Sequence, residues 1–446
     1  MTARLLEVSS DDGGCGGLRR SDRYSLDAAD CAAVLAEELE DSAASELTLR
    51  LLRVWTWLDR CDALGLDPGV GVDRLLAGDA ASPRSVSLGR EVRVFSGEGR
   101  EAVRRLCGWA SLADGDELAR LVEALELGGE GDRAAALALW QGELLLSVHV
   151  LQRGMRQGSE AEGSPHERDS AYAQVLALVV ACVAGFCSGQ AADELVAQAW
   201  RASALTVVRQ LRQYAAGASI LRSCGVQYLV AMVGFLTCIA SGDRESAVEA
   251  VLQNHTISVE DRVGFAATYL GQDELASFIA ELACEAEVQG DLEGLLLRGL
   301  GPPGVPLLQS YLDRFDDLQT AALLAGHMSA VDRNAEPAQW LQQYRLLLNQ
   351  REQFIDRANL DVQLGRRHRL RSGGLPCDYS ARATGMRREL YRQHPYSEAP
   401  HIFLRCHFCS AALPADASQK QQQAAWQKKQ GGLLHCCSNC KKGELP

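Results

Sequence analysis

From Leu26 to Phe354 the apolar residues of this 446-residue chain return every three or four positions rather than every second one. That period belongs to an α-helix with one buried face. The periodic segments are short and the connectors between them shorter, so the chain must fold by packing helix on helix. Spacing and turn residues predict helices over 26–40 and 44–64, the first with Ser25 as N-cap and the second ended by Gly65. Further helices are predicted over 98–109, 115–127, 132–140, 143–155, 168–187, 191–214, 225–241, 244–253, 258–270, 273–288, 291–299, 304–314, 316–326 and 337–359. No convincing strand is predicted before residue 400. Many Leu and Ala residues beside only 6% aromatics suit helices better than sheets.

The fold class expected is therefore mainly α: an α-solenoid of stacked helix pairs followed by a small C-terminal zinc ribbon. No strict repeat length is visible, which argues against ankyrin or tetratricopeptide arrays. A compact all-helical bundle is the competing fold. The expected organisation is a disordered N-terminus over 1–22, a solenoid over 23–360 with a polar break at 157–167, a basic linker with a short helix over 361–400, and the zinc module over 401–446.

Charge is unevenly spread. The total is −13, but residues 345–446 hold 17 Lys/Arg against 8 Asp/Glu, while the rest holds 28 against 50. An acidic body argues against nucleic acid as a partner, since duplex binding needs a basic face. The basic tail suits an acidic partner, an anionic membrane surface or plain solvent. The N-terminus lacks the apolar core of a signal peptide. The best membrane candidate is Val175–Phe186, too short at 12 residues for the roughly 20 that a span needs.

Fifteen cysteines then need a reading. Ten precede residue 400 at irregular spacing, and Cys182, Cys187 and Cys238 lie in apolar runs, as reduced thiols acting as small hydrophobes do. The last five are different. Cys406-His-Phe-Cys409 and Cys437-Ser-Asn-Cys440 are two CxxC pairs with 27 residues between them. Each pair lets two thiolates reach one metal from a single turn, and four thiolates form the tetrahedral shell that Zn2+ prefers. Four protein ligands leave no position open for water activation, so the expected site is structural. Cys436, His407 and His435 are alternative ligands beside it. Phe403-Leu404 and Leu433-Leu434 are expected to form a short β-rung before each knuckle.

Catalytic signatures are missing: there is no GxGxxG after a strand, GxxxxGK[ST], HExxH or GxSxG. His149, His255 and His327 stand alone, and acidic pairs such as Asp316-Asp317 are those of helix N-termini.

Five stretches together resemble one family. They are Leu106-Cys107-Gly108-Trp109, Asp132-Arg133-Ala134-Ala135-Ala136-Leu137-Ala138-Leu139-Trp140, Glu260-Asp-Arg-Val-Gly-Phe-Ala-Ala-Thr-Tyr-Leu270, Gly290-Asp-Leu-Glu-Gly-Leu-Leu-Leu-Arg-Gly-Leu300, and Gln309 to Arg314 with Asp317 to Ala321. In collinear order they resemble the α-solenoid of the Missing oocyte (Mio/Mios) family, a subunit of the GATOR complex that activates TOR signalling; the fungal equivalent is the SEA complex on the vacuole. The family's C-terminal zinc ribbon places its two CxxC pairs where Cys406, Cys409, Cys437 and Cys440 fall. The resemblance implies a non-enzymatic scaffold subunit at the lysosomal or vacuolar membrane, peripheral and cytoplasmic. Its implied partners are other GATOR/SEA-type subunits, β-propeller proteins and a partner's C-terminal zinc or RING module. The family begins with a β-propeller and continues past the ribbon into a RING-like module, and neither is matched here. A truncated sequence is expected, with a divergent short paralogue as the alternative. A vacuolar tethering or coat subunit is the rival function. A ubiquitin ligase is disfavoured, because it needs two interleaved zinc sites.

Overall fold

The computed structural model describes residues 25–40, 45–79, 81–87, 91–112, 114–160, 167–189, 194–329 and 335–371. Among them are eighteen α-helices and one two-stranded sheet. The N-terminal pair is α1 (Ala28–Glu40) and α2 (Glu46–Leu64), followed by the single turn α3 (Val72–Leu75). A hairpin of β1 (Ser82–Ser87) and β2 (Glu91–Ser96) leads into α4 (Glu98–Leu106). The next run is α5 (Gly115–Leu127), α6 (Gly131–Trp140), α7 (Leu144–Glu160), α8 (Glu167–Gly189), α9 (Glu194–Ala216), α10 (Ile220–Ser241) and α11 (Arg244–Leu252). Then come α12 (Val259–Tyr269), α13 (Gln272–Gln289), α14 (Leu295–Arg298), α15 (Val305–Phe315), α16 (Leu318–His327), α17 (Ala335–Gln350) and α18 (Phe354–Arg371). Residues up to Leu360 form one unit; of the second, from Asp361, the described part is the last turns of α18.

Local chemistry explains several helix ends. The Ser45 hydroxyl accepts from the Thr48 amide at the start of α2. Asp114 accepts from the amides of Asp116 and Glu117, and Ser258 from that of Asp261. Each satisfies a donor that the first helical turn leaves over. At the far end of α2, Gly65 takes φ 65°, a left-handed value that a side chain disfavours, and its N–H returns to the helix.

Consecutive helices pack as pairs: α1 on α2, α5 on α6, α6 on α7, α7 on α8, α8 on α9, α9 on α10, α10 on α11 and α16 on α17. That is the stacking expected of a solenoid. The stack is not purely sequential, however. α2, α3 and α4 leave chain order to pack against residues 259–298. α12 is the hub of this fold-back, with all eleven of its residues buried.

Several expectations need correcting. Strands do occur before residue 400. β2 alternates, burying Val92, Val94 and Ser96 against α12, and β1 pairs with it antiparallel from Ser82↔Ser96 to Ser87↔Glu91. The short Val-x-Val signal is real but is flanked by Arg and Ser, which hid it among helical runs. The segment 291–299 is a 3-10 turn at Leu292–Gly294 followed by the one-turn α14, not a continuous helix. The helix expected over 337–359 is two, because Glu352 takes φ 59° between α17 and α18. The turn α3 was not foreseen. α1 begins at Ala28 with Asp27, not Ser25, accepting from a first-turn amide, that of Ala29. α7 runs to Glu160, so the polar break begins later than 157.

The most apolar helix is α10, not Val175–Phe186. It has 22 residues with a mean hydropathy of 1.7 over its best window, which meets the length and composition of a membrane span. It packs on α6, α8, α9 and α11, and 56% of that window is buried among them. A helix apolar on every side is what a central position in a helical stack requires.

Candidate functional site

Three of the five stretches that carry the family resemblance converge on one carboxylate. Asp261, in the first turn of α12, is fully buried. Its Oδ1 accepts from Trp109 Nε1 at 3.0 Å and from Arg133 NH2 at 3.1 Å. Its Oδ2 accepts from Arg133 Nε at 2.8 Å, the Tyr228 hydroxyl at 2.6 Å and the Ser258 hydroxyl at 2.9 Å. Burial pushes the carboxyl up, but the Arg133 charge and the bonds from Arg133, Tyr228 and Trp109 outweigh it and hold Asp261 below the ordinary aspartate range. Four elements meet here: the turn after α4, α6, α10 and α12.

Shape matches charge around this centre. A Cβ at Gly264 would lie 2.6 Å from Trp109 Cε2, so only glycine admits the indole against α12. Trp109 stacks on Trp140 at 6.3 Å and 9°, and Trp140 meets Phe265 edge-on at 5.4 Å. The Tyr269 hydroxyl donates to the Trp140 carbonyl at 2.6 Å. The buried Arg100 side chain donates to the carbonyls of Ala267 at 2.7 Å and Leu270 at 2.9 Å, occupying acceptors that the C-terminus of α12 leaves over.

A second polar layer joins α2 to the region around α12. Arg50 pairs with Asp291 at 2.7 Å, Arg53 with Glu293 at 3.0 Å and Arg60 with Glu260 at 3.1 Å. Arg60 also donates to the Leu106 carbonyl at 3.2 Å, and Glu293 accepts from the Val259 amide at 2.9 Å. Burial raises Glu260 above the ordinary glutamate range despite Arg60 and Arg133. Burial and the neighbouring Glu293 push Asp291 up to about 6 against the pull of Arg50.

This arrangement is chemically a clamp. Among the described residues no group of three or more His, Cys, Asp or Glu is placed for a metal. His149 and His255 are exposed, and His327 is buried edge-on to Trp55 at 5.7 Å, so the three are not brought together. Asp317 caps α16, accepting from the Thr320 amide at 3.1 Å, as expected of a helix-start carboxylate. A cleft of about 230 Å³ between α3, α13 and α14 is lined mainly by Leu76, Ala276, Ile279, Ala283 and Leu297, with Asp73 and Arg298.

Among the described residues seven cysteines are free thiols. Cys182 is buried as expected, whereas Cys238 is only half-buried. Burial raises the Cys61 thiol to about 12 and Cys182 to about 11, which makes both inert. Cys406, Cys409, Cys437 and Cys440, with Cys436, His407 and His435, lie outside the described residues. Sequence reasoning missed the Asp261 clamp and the arginines of α2. The available signal was the spacing of Arg50, Arg53 and Arg60, which puts three cations on the helix face that also carries the buried Trp57.

Fold and site together define an α-solenoid segment locked by a buried polar core. Residues 79–269 match the family model of the MIOS alpha-solenoid. The chain is 26% identical over 361 residues to the GATOR2 complex protein MIOS of Danio rerio, covering 79% of this chain and 34% of that protein. It is 24% identical over 415 residues to the GATOR2 complex protein Mio of Drosophila melanogaster, covering 89% of this chain and 40% of that protein. SEH-associated protein 4 of Saccharomyces cerevisiae is 35% identical over 133 residues, 30% of this chain and 13% of that protein. By these matches the solenoid of this chain is similar to that of the Mio family. The chain spans about a third of the length of the animal relatives it matches. Trp109, Arg133, Tyr228, Ser258 and Asp261 all fall inside the matched segment; Arg50, Arg53, Asp291 and Glu293 fall outside it.

Proposed function

We propose that the chain is a non-enzymatic scaffold subunit of a GATOR/SEA-type complex, and that it positively regulates TOR signalling in response to amino acids. The observation that carries this reading is the match of residues 79–269 to the MIOS alpha-solenoid, within which the buried Asp261 accepts from Trp109, Arg133, Tyr228 and Ser258. A stack of helix pairs offers long surfaces to other subunits, and a core clamped at Asp261 keeps those surfaces in register at little entropic cost on binding. The partners are other subunits of that complex, among them β-propeller proteins and a partner's zinc or RING module. The location is cytoplasmic and peripheral at the lysosomal or vacuolar membrane.

Cys406, Cys409, Cys437 and Cys440 hold one structural Zn2+ in this reading. The donor set fits, because two CxxC pairs supply the four thiolates of a closed tetrahedral site. Binding would supply much of the folding free energy of so small a module.

The test is affinity purification of the tagged chain from its own cells, with the co-purifying subunits identified by mass spectrometry. GATOR/SEA-type subunits in stoichiometric amounts are the expected result. Recovery of vacuolar tethering subunits instead, or of no partner, refutes the proposal.

A further inference from the structure

The cleft of about 230 Å³ where α3 and α14 meet α13 owes its depth to side-chain size. α13 turns Ala276, Ala280 and Ala283 toward it, at helical spacings of four and three, where longer side chains would fill the space. Leu76, Ile279 and Leu297 supply an aliphatic wall. The side formed by α3 and α14 is held by backbone contacts. A Cβ on Gly71 would fall 2.3 Å from the Leu297 carbonyl oxygen, and one on Gly299, at φ 80°, would fall 2.6 Å from that of Gly69. The Leu300 amide donates to the Pro68 carbonyl at 2.6 Å. These contacts pin α3 to α14, so the cleft is formed by the fold itself, as small-molecule sites usually are.

The same contacts set two opposite charges side by side on the lining, one from each helix. Asp73 Oδ2 lies 4.0 Å from Arg298 NH1, beyond hydrogen-bond distance, and both side chains are 35% exposed. Asp73 spends its other oxygen, Oδ1, on the Arg74 amide at 2.7 Å. A pair this exposed contributes little to stability and opens at little cost. The cleft therefore offers an aliphatic wall with one anion and one cation next to it.

We propose that this cleft binds a free α-amino acid with a large aliphatic side chain, such as leucine or methionine. The ligand carboxylate pairs with Arg298, its ammonium with Asp73, and its side chain lies against Leu76, Ile279 and Leu297. Charge selects this class. A fatty acid would set its carboxylate beside Asp73, and an aliphatic amine its ammonium beside Arg298, whereas a zwitterion satisfies both. A polar side chain would lose water against the aliphatic wall and gain no partner there. Volume sets a limit as well, since pockets for drug-sized ligands run to about 300–1,000 Å³. The inference stands on the cleft alone. Assembly is tested by co-purification and this binding on the purified chain, so either can fail without the other.

The experiment is isothermal titration calorimetry of the purified full chain with L-leucine and with L-methionine. Saturable binding of one amino acid per chain is expected. N-acetyl-L-leucine amide keeps the side chain but carries neither charge, and L-aspartate keeps both charges but not the apolar side chain; neither is expected to bind. Arg298→Gln and Asp73→Asn each remove one charge-assisted contact, so each should weaken leucine binding about tenfold or more. Ala280→Leu fills the cleft from an exposed position of α13 and should abolish binding while the helical circular-dichroism signal stays that of the wild type. Failure of both amino acids to bind with a Kd tighter than about 1 mM overturns the proposal. So does binding that these three substitutions leave unchanged, or that the uncharged amide matches.

Discussion

Removing the Asp261 carboxylate should be among the most damaging single changes in this chain. Asp261→Ala deletes an acceptor of five hydrogen bonds, three of them from neutral donors and two from the Arg133 guanidinium. Arg133, a half-buried cation at 17% exposure, would then lack its closest anion and be left with Glu260 at 3.8 Å and the exposed Glu130 at 3.0 Å. Breaking a buried pair by removing one partner costs about 3–5 kcal/mol. With a urea slope of about 3 kcal/mol per molar, the unfolding midpoint should fall by about 1–1.7 M. The assay is urea denaturation of the full chain followed by helical circular dichroism. The double change Arg133→Met with Asp261→Leu should cost less than Asp261→Ala alone, because no uncompensated charge stays behind. A midpoint shift below about 0.3 M for Asp261→Ala, or a double variant worse than both single ones, would refute the clamp. The pH dependence has a definite sign. Asp261 sits below the ordinary aspartate range when folded. Its contribution is therefore present above the unfolded value and lost as pH falls through the folded one, and Asp261→Asn should flatten that acid limb.

Three further outcomes are expected. Gly264→Ala drives a methyl to 2.6 Å from the Trp109 ring, and overpacking of this kind costs about 1–3 kcal/mol; an unchanged thermal midpoint would show that the indole has room to move. Asp291 works oppositely to Asp261: its folded value of about 6 lies above the ordinary 3.8, so the folded chain holds the extra proton between them, and its contribution to stability falls as pH rises across that window. Asp291→Asn should remove this slope from a series of urea midpoints between pH 4 and pH 7, and a slope identical to wild type would contradict it. Finally, metal analysis should find one zinc per chain, and Cys437→Ser should release it while leaving the helical circular-dichroism signal nearly intact; zero or two zincs in the wild type would count against the four-cysteine assignment.

How much was legible beforehand varies by element. α5 was predicted over 115–127 and is found there, its start fixed locally by the Asp114 side chain that bonds the first turn. The end of α2 was marked by Gly65, whereas its cap at Ser45 is a finding of the structure. Where the deciding interaction was distant, the reading failed. Nothing near Glu352 announces a left-handed residue, so α17 and α18 were read as one helix. The hairpin went unseen because Val92 and Val94 are too short a run to stand out, and they become a strand face only by packing on α12.

The amino-acid order by itself determined the helical class, the helix boundaries set by local caps, and the CxxC spacing within each C-terminal cysteine motif, since each depends on residues within a few positions of one another. Only the tertiary structure decided that the stack folds back on α12, that Asp261 is its electrostatic centre, and that Arg50 and Arg53 of α2 reach carboxylates some 240 residues away. Burial is the physical reason. Asp261, Glu260 and Arg133 look like ordinary charges on helix surfaces until water is excluded around them, and from then on each requires a partner that no local pattern can name.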